Sequence, residues 1–499
     1  MKKTLSAAFV LLMSLVIASC GGAAQSKPEK PSDAGEQEAV QPSADTEAET
    51  ESEETRVPLG VPDADYGGAE FVIMALERGI DGNDAQFAEF TYDPERSGEV
   101  INDAVYQRNL TVEEKFNVRI SVSEQKDSGA LISNLKKIVN SGDTSIHAVT
   151  PLMTDAVTIA QNGMLVDLNS MKFIDQSMPW WDQNIKTELA VGGKVFVQGG
   201  DLLMSPKELQ CFLGVNAKLL KDNGIEMPYA DVDSGIWTLD RMSALSKGIT
   251  RDANGDGVLD ENDVFGYTHT ADSAYWMFCD AGGKIAELVN GEPKLVQQNA
   301  KNIDILTKMC DLYTDKETTL DVNKMSNTWT TNREMFVNDQ VAIQPASIYV
   351  LQTRRDMVSD FGILPYPKYD ENQAEYMNFG TIFRMRGISV PVTCPDMDMT
   401  AALLEALAYY SEETVVKAYY EHNLQGKVSR DDESQRMLEI IFTTIHYDLI
   451  DTFRWGKMFE AVTGGIKDSS SFESKYAKTE EKTTADMEKT YSAIMNNEG

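Results

Sequence analysis

Cysteine is scarce: five residues in 499 exclude a disulfide-stapled scaffold. Basic residues are in deficit, 45 Lys and Arg against 79 Asp and Glu, a formal charge of −34. That balance argues against nucleic acid, whose binders need basic surface to displace phosphate counterions, and against a polybasic contact with anionic lipid. Histidine is rarer still. His147, His269, His422 and His446 are scattered, with no HExxH pair, no close His–Cys spacing, no Gly-x-Ser-x-Gly elbow and no P-loop. Asp/Glu pairs abound in so acidic a chain, so a glycosidase pair stays open without positive support. No apolar run reaches the 18 residues that a membrane-spanning helix needs.

What is present is an ordinary globular composition, 42% hydrophobic and 25% charged, long enough for two or three domains of about 150 residues each. Lys2 and Lys3 precede a 13-residue apolar stretch, Leu5–Ile17, which reads as an export signal over residues 1–19. The stretch ends in Ile17-Ala18-Ser19-Cys20, which resembles a bacterial lipobox. Cys20 is therefore the expected lipidated first residue of the mature chain, and lipid the only expected membrane attachment. Residues 20–64 are expected to be a disordered tether. Their first 36 residues hold ten Asp and Glu, two Lys and no aromatic residue, too little apolar surface to offset ordering. Without this segment and the signal, 41 basic and 69 acidic residues remain, so the folded body is itself acidic, at −28.

The body reads as α/β. Strands are predicted at 70–75, 118–122 and 147–152, with helices over 99–116, 130–139 and from 155. Strand and helix alternating at this spacing argue for a largely parallel sheet, whose ligands gather beyond the carboxyl ends of strands. Thr154 and Asp155, in the turn after the third strand, are candidate ligand residues on that ground. Helices are also predicted at 238–247, 303–313, 400–410, 413–421 and 434–445, so the C-terminal region is mostly helical, ending in a frayed surface helix.

The sharpest local motif is Asp252-Ala253-Asn254-Gly255-Asp256-Gly257-Val258-Leu259-Asp260-Glu261-Asn262-Asp263, which matches calcium-loop spacing. Asp252, Asn254 and Asp256 would supply side-chain oxygens, Val258 its carbonyl, Asp260 a ligand through water, and Asp263 stands at the twelfth position in place of Glu. The loop resembles dockerin-type loops most, and a structural Ca2+ is expected there.

Several segments, in order, resemble the family 1 extracellular solute-binding proteins of ABC importers, the maltose-binding-protein group. These are Gly163–Leu168, Gly192–Val197 (read as a hairpin), Cys211–Leu220, Gly282-Gly283, Phe336–Ile343 and Phe361–Pro367. The resemblance implies a two-lobe periplasmic-binding-protein fold of type II with a hinge between the lobes. It allots 65–207 and 346–394 to lobe 1, and 208–345 and 395–499 to lobe 2. It further implies that Tyr275 or Trp276, Tyr349 and Trp181 line the ligand cleft, since sugar C–H faces stack on rings. The expected protein is a non-enzymatic, monomeric binding protein, lipid-anchored at the bacterial cell surface or in the periplasm. It would deliver a solute, a sugar or oligosaccharide by this reading, to ABC permease subunits. A glycan-acting enzyme and a ligand sensor for a membrane kinase are the alternatives. Export would permit two disulfides among Cys211, Cys279, Cys310 and Cys394; buried free thiols are equally open.

Overall fold

The computed structural model describes residues 56–76, 88–296, 300–325, 328–354, 357–424 and 432–497. The signal, Cys20 and most of the tether lie outside them. The chain divides into Met1–Val57 and a body, Pro58–Gly499, to which every element below belongs.

The body begins with a parallel sheet of β1 (Ala69–Leu76), β2 (Val118–Gln125) and β3 (Ala148–Thr150), in the order β2-β1-β3. β1 pairs along its whole length with β2, from Ala69↔Val118 to Leu76↔Gln125. As the central strand it is flanked on both sides, and its inner half, Ile73–Leu76, is wholly buried, hence the run of apolar residues. Three helices alternate with these strands: α1 (Val100–Phe116), α2 (Ser128–Ser141) and α3 (Met153–Gln161). α1 buries Ile101, Val105, Val112 and Phe116, the one-face spacing of an amphipathic helix. It stops at Asn117, whose φ of 49° suits a residue that tolerates the left-handed region. α2 starts where the Asp127 carboxylate accepts from Ala130 N at 2.7 Å and ends at Gly142 with φ 68°, a left-handed glycine cap.

A short helix, α4 (Gln183–Glu188), precedes the second lobe. The second lobe is built on β4 (Cys211–Asn216), β5 (Phe265–His269), the hairpin β6 (Ala286–Val289) and β7 (Glu292–Leu295), β8 (Thr319–Asp321), β9 (Val341–Ser347) and β10 (Phe361–Leu364). Its five-stranded sheet runs β10-β4-β9-β5-β8. β4 is antiparallel to β9 and β10, while β5 is parallel to both β8 and β9. The hairpin turns at Asn290 and Gly291, both at positive φ (52° and 79°), as a two-residue turn matching strand twist requires. Helices α5 (Ala271–Asp280), α6 (Ala300–Thr314) and α7 (Thr328–Val337) follow β5, β7 and β8.

Three segments cross between the lobes side by side. Thr381 N donates to Leu209 O at 3.0 Å, Asn378 N to Thr444 O at 2.8 Å, and His446 N to Asn378 O at 2.9 Å. The buried Asn378 amide ties the third neighbour, donating to Cys211 O at 2.8 Å. Beyond the crossing, residues 388–391 bridge onto Val149, Leu165 and Gln198 of the first lobe.

These contacts correct the expected lobe allotment at two places. β10, expected in lobe 1, is an edge strand of the second sheet. The helices α8 (Met397–Ser411) and α9 (Lys417–Leu424), expected in lobe 2, pack on α1; the Arg108 guanidinium of α1 donates to Ser411 Oγ at 3.3 Å. The chain then runs on through the C-terminal helices α10 (Asp432–Thr443), α11 (Leu449–Phe453), α12 (Met458–Lys467) and α13 (Phe472–Asn496). α13 is packed, not frayed: it buries Phe472, Tyr476, Met487 and Ile494, and Lys194 Nζ caps its end by donating to Asn497 O at 2.6 Å. The expected hairpin at 192–197 is instead a 3-10 turn, Val191–Gly193, leading into extended chain. No helix among the described residues is long and apolar enough to cross a membrane.

Candidate ligand-binding site

Of the six tryptophans, five are at most 4% exposed, whereas Trp329 is 50% exposed. Trp329 stands on the first turn of α7. It lines a groove of about 390 Å³ with Thr270, Asp272, Asn323, Thr328 and Thr330. Thr270 directly follows β5, and Asn323 follows β8. These are parallel neighbours in one sheet, so the groove lies beyond their carboxyl ends, where α/β sheets place ligands. The floor is rigidly built. Thr270 Oγ1 accepts from Ser273 N at 3.2 Å and Ser273 Oγ accepts from Thr270 N at 2.9 Å, a reciprocal cap that fixes Asp272 on the first turn of α5. Asn323 Oδ1 accepts from Ala271 N at 3.1 Å, and its Nδ2 donates to Asp321 Oδ1 at 2.7 Å.

Behind the groove the charges are unbalanced. Burial raises the Asp272 carboxyl above its ordinary pKa, with Arg454 acting against that. Arg454 sits at φ 53° just after α11, with its guanidinium 4.0 Å over the Phe459 ring and 6.0 Å from that of Phe383. Its Nε donates to Asp451 O at 2.9 Å, and its Nη2 pairs with the Asp451 carboxylate. Burial pushes Asp451 up to about 7. Arg333, one turn along α7 from Trp329, brings a guanidinium near Tyr349.

No protein-family model matches the sequence, and no curated protein does. Solved structures do. A cyclic α-maltosyl-1,6-maltose-binding protein from Arthrobacter globiformis matches with a TM-score of 0.54 at 15% identity, over 86% of this chain and 100% of its own. A cyclo/maltodextrin-binding protein complexed with maltotetraose matches at 0.54 and 12% identity, over 86% and 97%. A sugar transporter protein from Rhizobium etli, in an open conformation, matches at 0.53 and 11% identity, over 86% and 100%. The chain has the fold of these solute-binding proteins. At such low identity the likeness carries the two-lobe α/β architecture and nothing finer.

In this solute-binding fold the residues expected to line the cleft are mostly elsewhere. Tyr275 and Trp276 lie on α5 and are buried. Tyr275 donates its hydroxyl to Asp448 Oδ1 at 2.7 Å and stacks on Phe459 at 4.4 Å. Trp181 is buried in the first lobe, where its Nε1 donates to Glu405 Oε2 at 2.7 Å beside Trp180. For these three the expectation is corrected: no ring face is open to a solute, because the run Ala274–Cys279 is apolar on all sides of its helix and the Trp pair is consumed by a buried carboxylate. Tyr349 is half-buried just past β9. Thr154 and Asp155 are half-buried on the first turn of α3, Asp155 accepting from the Ser128 hydroxyl. Trp329 was the signal to read: a lone ring in the polar stretch Ser326-Asn327-Thr328-Trp329-Thr330-Thr331-Asn332.

The 252–263 loop closes on itself. Asp252 accepts from Gly255 N and Gly257 N at 2.6 and 2.8 Å, Asn254 from Asp256 N at 2.9 Å, and Asp256 from Val258 N at 2.8 Å. Asp260 accepts from Asn262 N at 2.9 Å. Asp263 is buried and accepts from Ala253 N and Asp260 N at 2.8 and 2.9 Å, bonds that hold its carboxyl below the usual range. Gly255 and Gly257 take φ 77° and 79°, and Gly257 stands at the sixth position, where calcium-type loops need a sharp turn. The side-chain oxygens face backbone N–H groups. Among the described residues no three His, Cys, Asp or Glu side chains are grouped to hold a metal. Cys211, Cys279, Cys310 and Cys394 are free thiols.

Proposed function

We propose that this chain is an extracytoplasmic solute-binding protein that captures a carbohydrate between its lobes and presents it to an ABC permease. The observation that carries the reading is Trp329, the tryptophan left open to solvent, beside a carboxylate at the carboxyl ends of β5 and β8. A pyranose has apolar C–H faces that stack on a ring and hydroxyls that hydrogen-bond to planar polar groups. The sugars named for the structural neighbours support the same class. Capture works by differential affinity of open and closed states, with the three crossing segments as hinge, and Tyr349, Thr154 and Asp155 are proposed as further contacts on closure. The chain acts as a monomer, without bond chemistry. The test is titration calorimetry of maltotetraose and a panel of other oligosaccharides against wild type and Trp329→Ala. Trp329→Ala should lose tenfold or more in affinity at unchanged melting temperature. Wild-type affinity in the folded variant would move the site elsewhere.

The lipobox supports anchoring through a diacylated Cys20, so Cys20→Ala should shift the protein from the membrane fraction to the soluble one. For the 252–263 loop we propose a structural Ca2+ held by Asp252, Asn254, Asp256, the Val258 carbonyl, Asp260 and Asp263, on the strength of spacing and the two left-handed glycines. Asp263 would have to release a backbone N–H to join, so affinity should be weak, on the order of 10⁻⁴ to 10⁻³ M. No calorimetric heat at millimolar calcium would end that proposal.

A further inference from the structure

Resting on the sugar-site reading above, we infer that Asp272 sets the sign of the ligand: it accepts from a hydrogen-bond-donating group, a pair of sugar hydroxyls or an ammonium, and refuses an anionic one. Of the groove's other polar side chains, three are spent on protein, and Thr330 is an exposed hydroxyl. Thr270 Oγ1 holds Ser273 N, Asn323 holds Ala271 N and Asp321, and Thr328 Oγ1 donates to Met325 O at 3.3 Å. Asp272 is the charged exception. Its carboxylate accepts no hydrogen bond among the described residues. Arg454, the cation that acts on it, already has Nε and Nη2 committed to Asp451. A half-buried acceptor without a donor costs free energy, which a bound donor group recovers.

A carboxylate accepts two donors at once, the pattern that adjacent hydroxyls on a sugar ring offer. The exposed Trp329 face takes either the ring's C–H side or, for an amine, a cation. A ligand carboxylate would meet like charge at Asp272, within a chain of formal charge −34, and repulsion in a partly desolvated groove is weakly screened. The opposing influence is Arg333, four residues along α7 from Trp329. It is half-buried and its charge acts on Tyr349, and it would favour an anion.

The experiment titrates three probes into the whole chain by calorimetry: maltotetraose, the glucosamine tetramer and the galacturonic acid tetramer. The proteins are wild type, Asp272→Asn, Asp272→Glu and Trp329→Ala, each checked by thermal melt. Wild type is expected to bind maltotetraose or the glucosamine tetramer at least tenfold more tightly than the galacturonate. Asp272→Asn should lose tenfold or more on the bound probe, most for the amine, and should narrow the gap to the galacturonate. Asp272→Glu keeps the charge and should keep the preference. A galacturonate bound as tightly as the others would overturn the inference and hand the selection to Arg333. So would an Asp272→Asn variant that binds every probe like wild type while Trp329→Ala does not bind. If wild type binds none of the three, or Trp329→Ala binds like wild type, the sugar-site reading itself fails, and the inference with it.

Discussion

Glu405 shows how one buried carboxyl organises a tryptophan pair. Oε1 accepts from Trp180 Nε1 at 2.9 Å, and Oε2 accepts from Trp181 Nε1 at 2.7 Å and from Asp175 N at 3.2 Å. The three donors favour the ionised form, burial favours the neutral one, and burial wins: the pKa is pushed up to about 7. A carboxyl raised in the fold contributes stability that is complete below about 4.5 and lost as pH rises through about 7. Glu405→Gln keeps the shape but points an amide N–H2 at an indole N–H, leaving a donor unsatisfied at a cost of about 1–3 kcal/mol. Denaturant unfolding should therefore show the variant well below wild type at pH 5 and closer to it at pH 8. An equal deficit at both values would mean that Glu405 ionises as freely as a surface glutamate. This pairing was not legible in the sequence, since Trp180 and Glu405 lie 225 residues apart. The exposure of Trp329 was partly legible from its polar neighbours, and the burial of Tyr275 and Trp276 from the apolar residues on every side of their helix.

At the scale of elements, the reciprocal cap at Thr270 links local sequence to the site. It starts α5, and Asp272 is on the first turn. Thr270→Ala removes the side-chain acceptor for Ser273 N, a loss of about 1 kcal/mol by the usual worth of such caps. It should also free the first turn, so sugar affinity is expected to fall several-fold, although Thr270 itself is buried. Calorimetry beside a chemical melt checks both. A stability loss with intact affinity would show that Asp272 is held by the rest of α5 and not by the cap. The early elements were readable because each carries its own period: β1, β2, β3, α1 and α2 fall where the apolar spacing predicts them. Placement of the C-terminal helices was not readable. Periodicity marks the buried face of α8 but not what covers it, and only the folded chain puts that face on α1 through Arg108 and Ser411. Likewise the polar surface of α13 suggested fraying, while Phe472, Tyr476, Met487 and Ile494 recur on its inner face.

Over the whole molecule, buried acids set the response to pH. Asp182, Asp272, Asp280, Asp448, Asp451 and Glu405 are all raised, each chiefly by burial. Each costs stability as pH climbs from about 4 through its raised value, so the group favours the fold on acidification to about pH 5. His147 and His269 act the other way. Burial lowers both, His269 to about 4, so their contribution is present above about 6.5 and lost as pH falls toward their lowered values. The surface carboxyls that are lowered, such as Asp65 and Asp222, act only below about 3.8. Glu405 and Asp451, both raised to about 7, and Asp280, raised well above its ordinary value, outweigh the two histidines above pH 5.5, and partial neutralisation of a chain at −34 relieves self-repulsion in the same direction. The melting temperature should therefore rise by several degrees between pH 8 and pH 5.5, then fall below about pH 4 as the surface carboxyls and histidines protonate. A scanning-calorimetry series at fixed ionic strength checks the sign. A melting temperature that drops steadily from pH 8 to pH 5.5 would mean that the buried acids stay ionised, held by cations such as Arg454 at Asp451 and Lys207, whose charge acts on Asp182. Salt gives an independent reading of the same balance. If repulsion among surface charges is a large part of the effect, 0.5 M NaCl should raise the melting temperature at pH 8 more than at pH 5.5, because screening acts on exposed charge and leaves buried carboxyls nearly untouched.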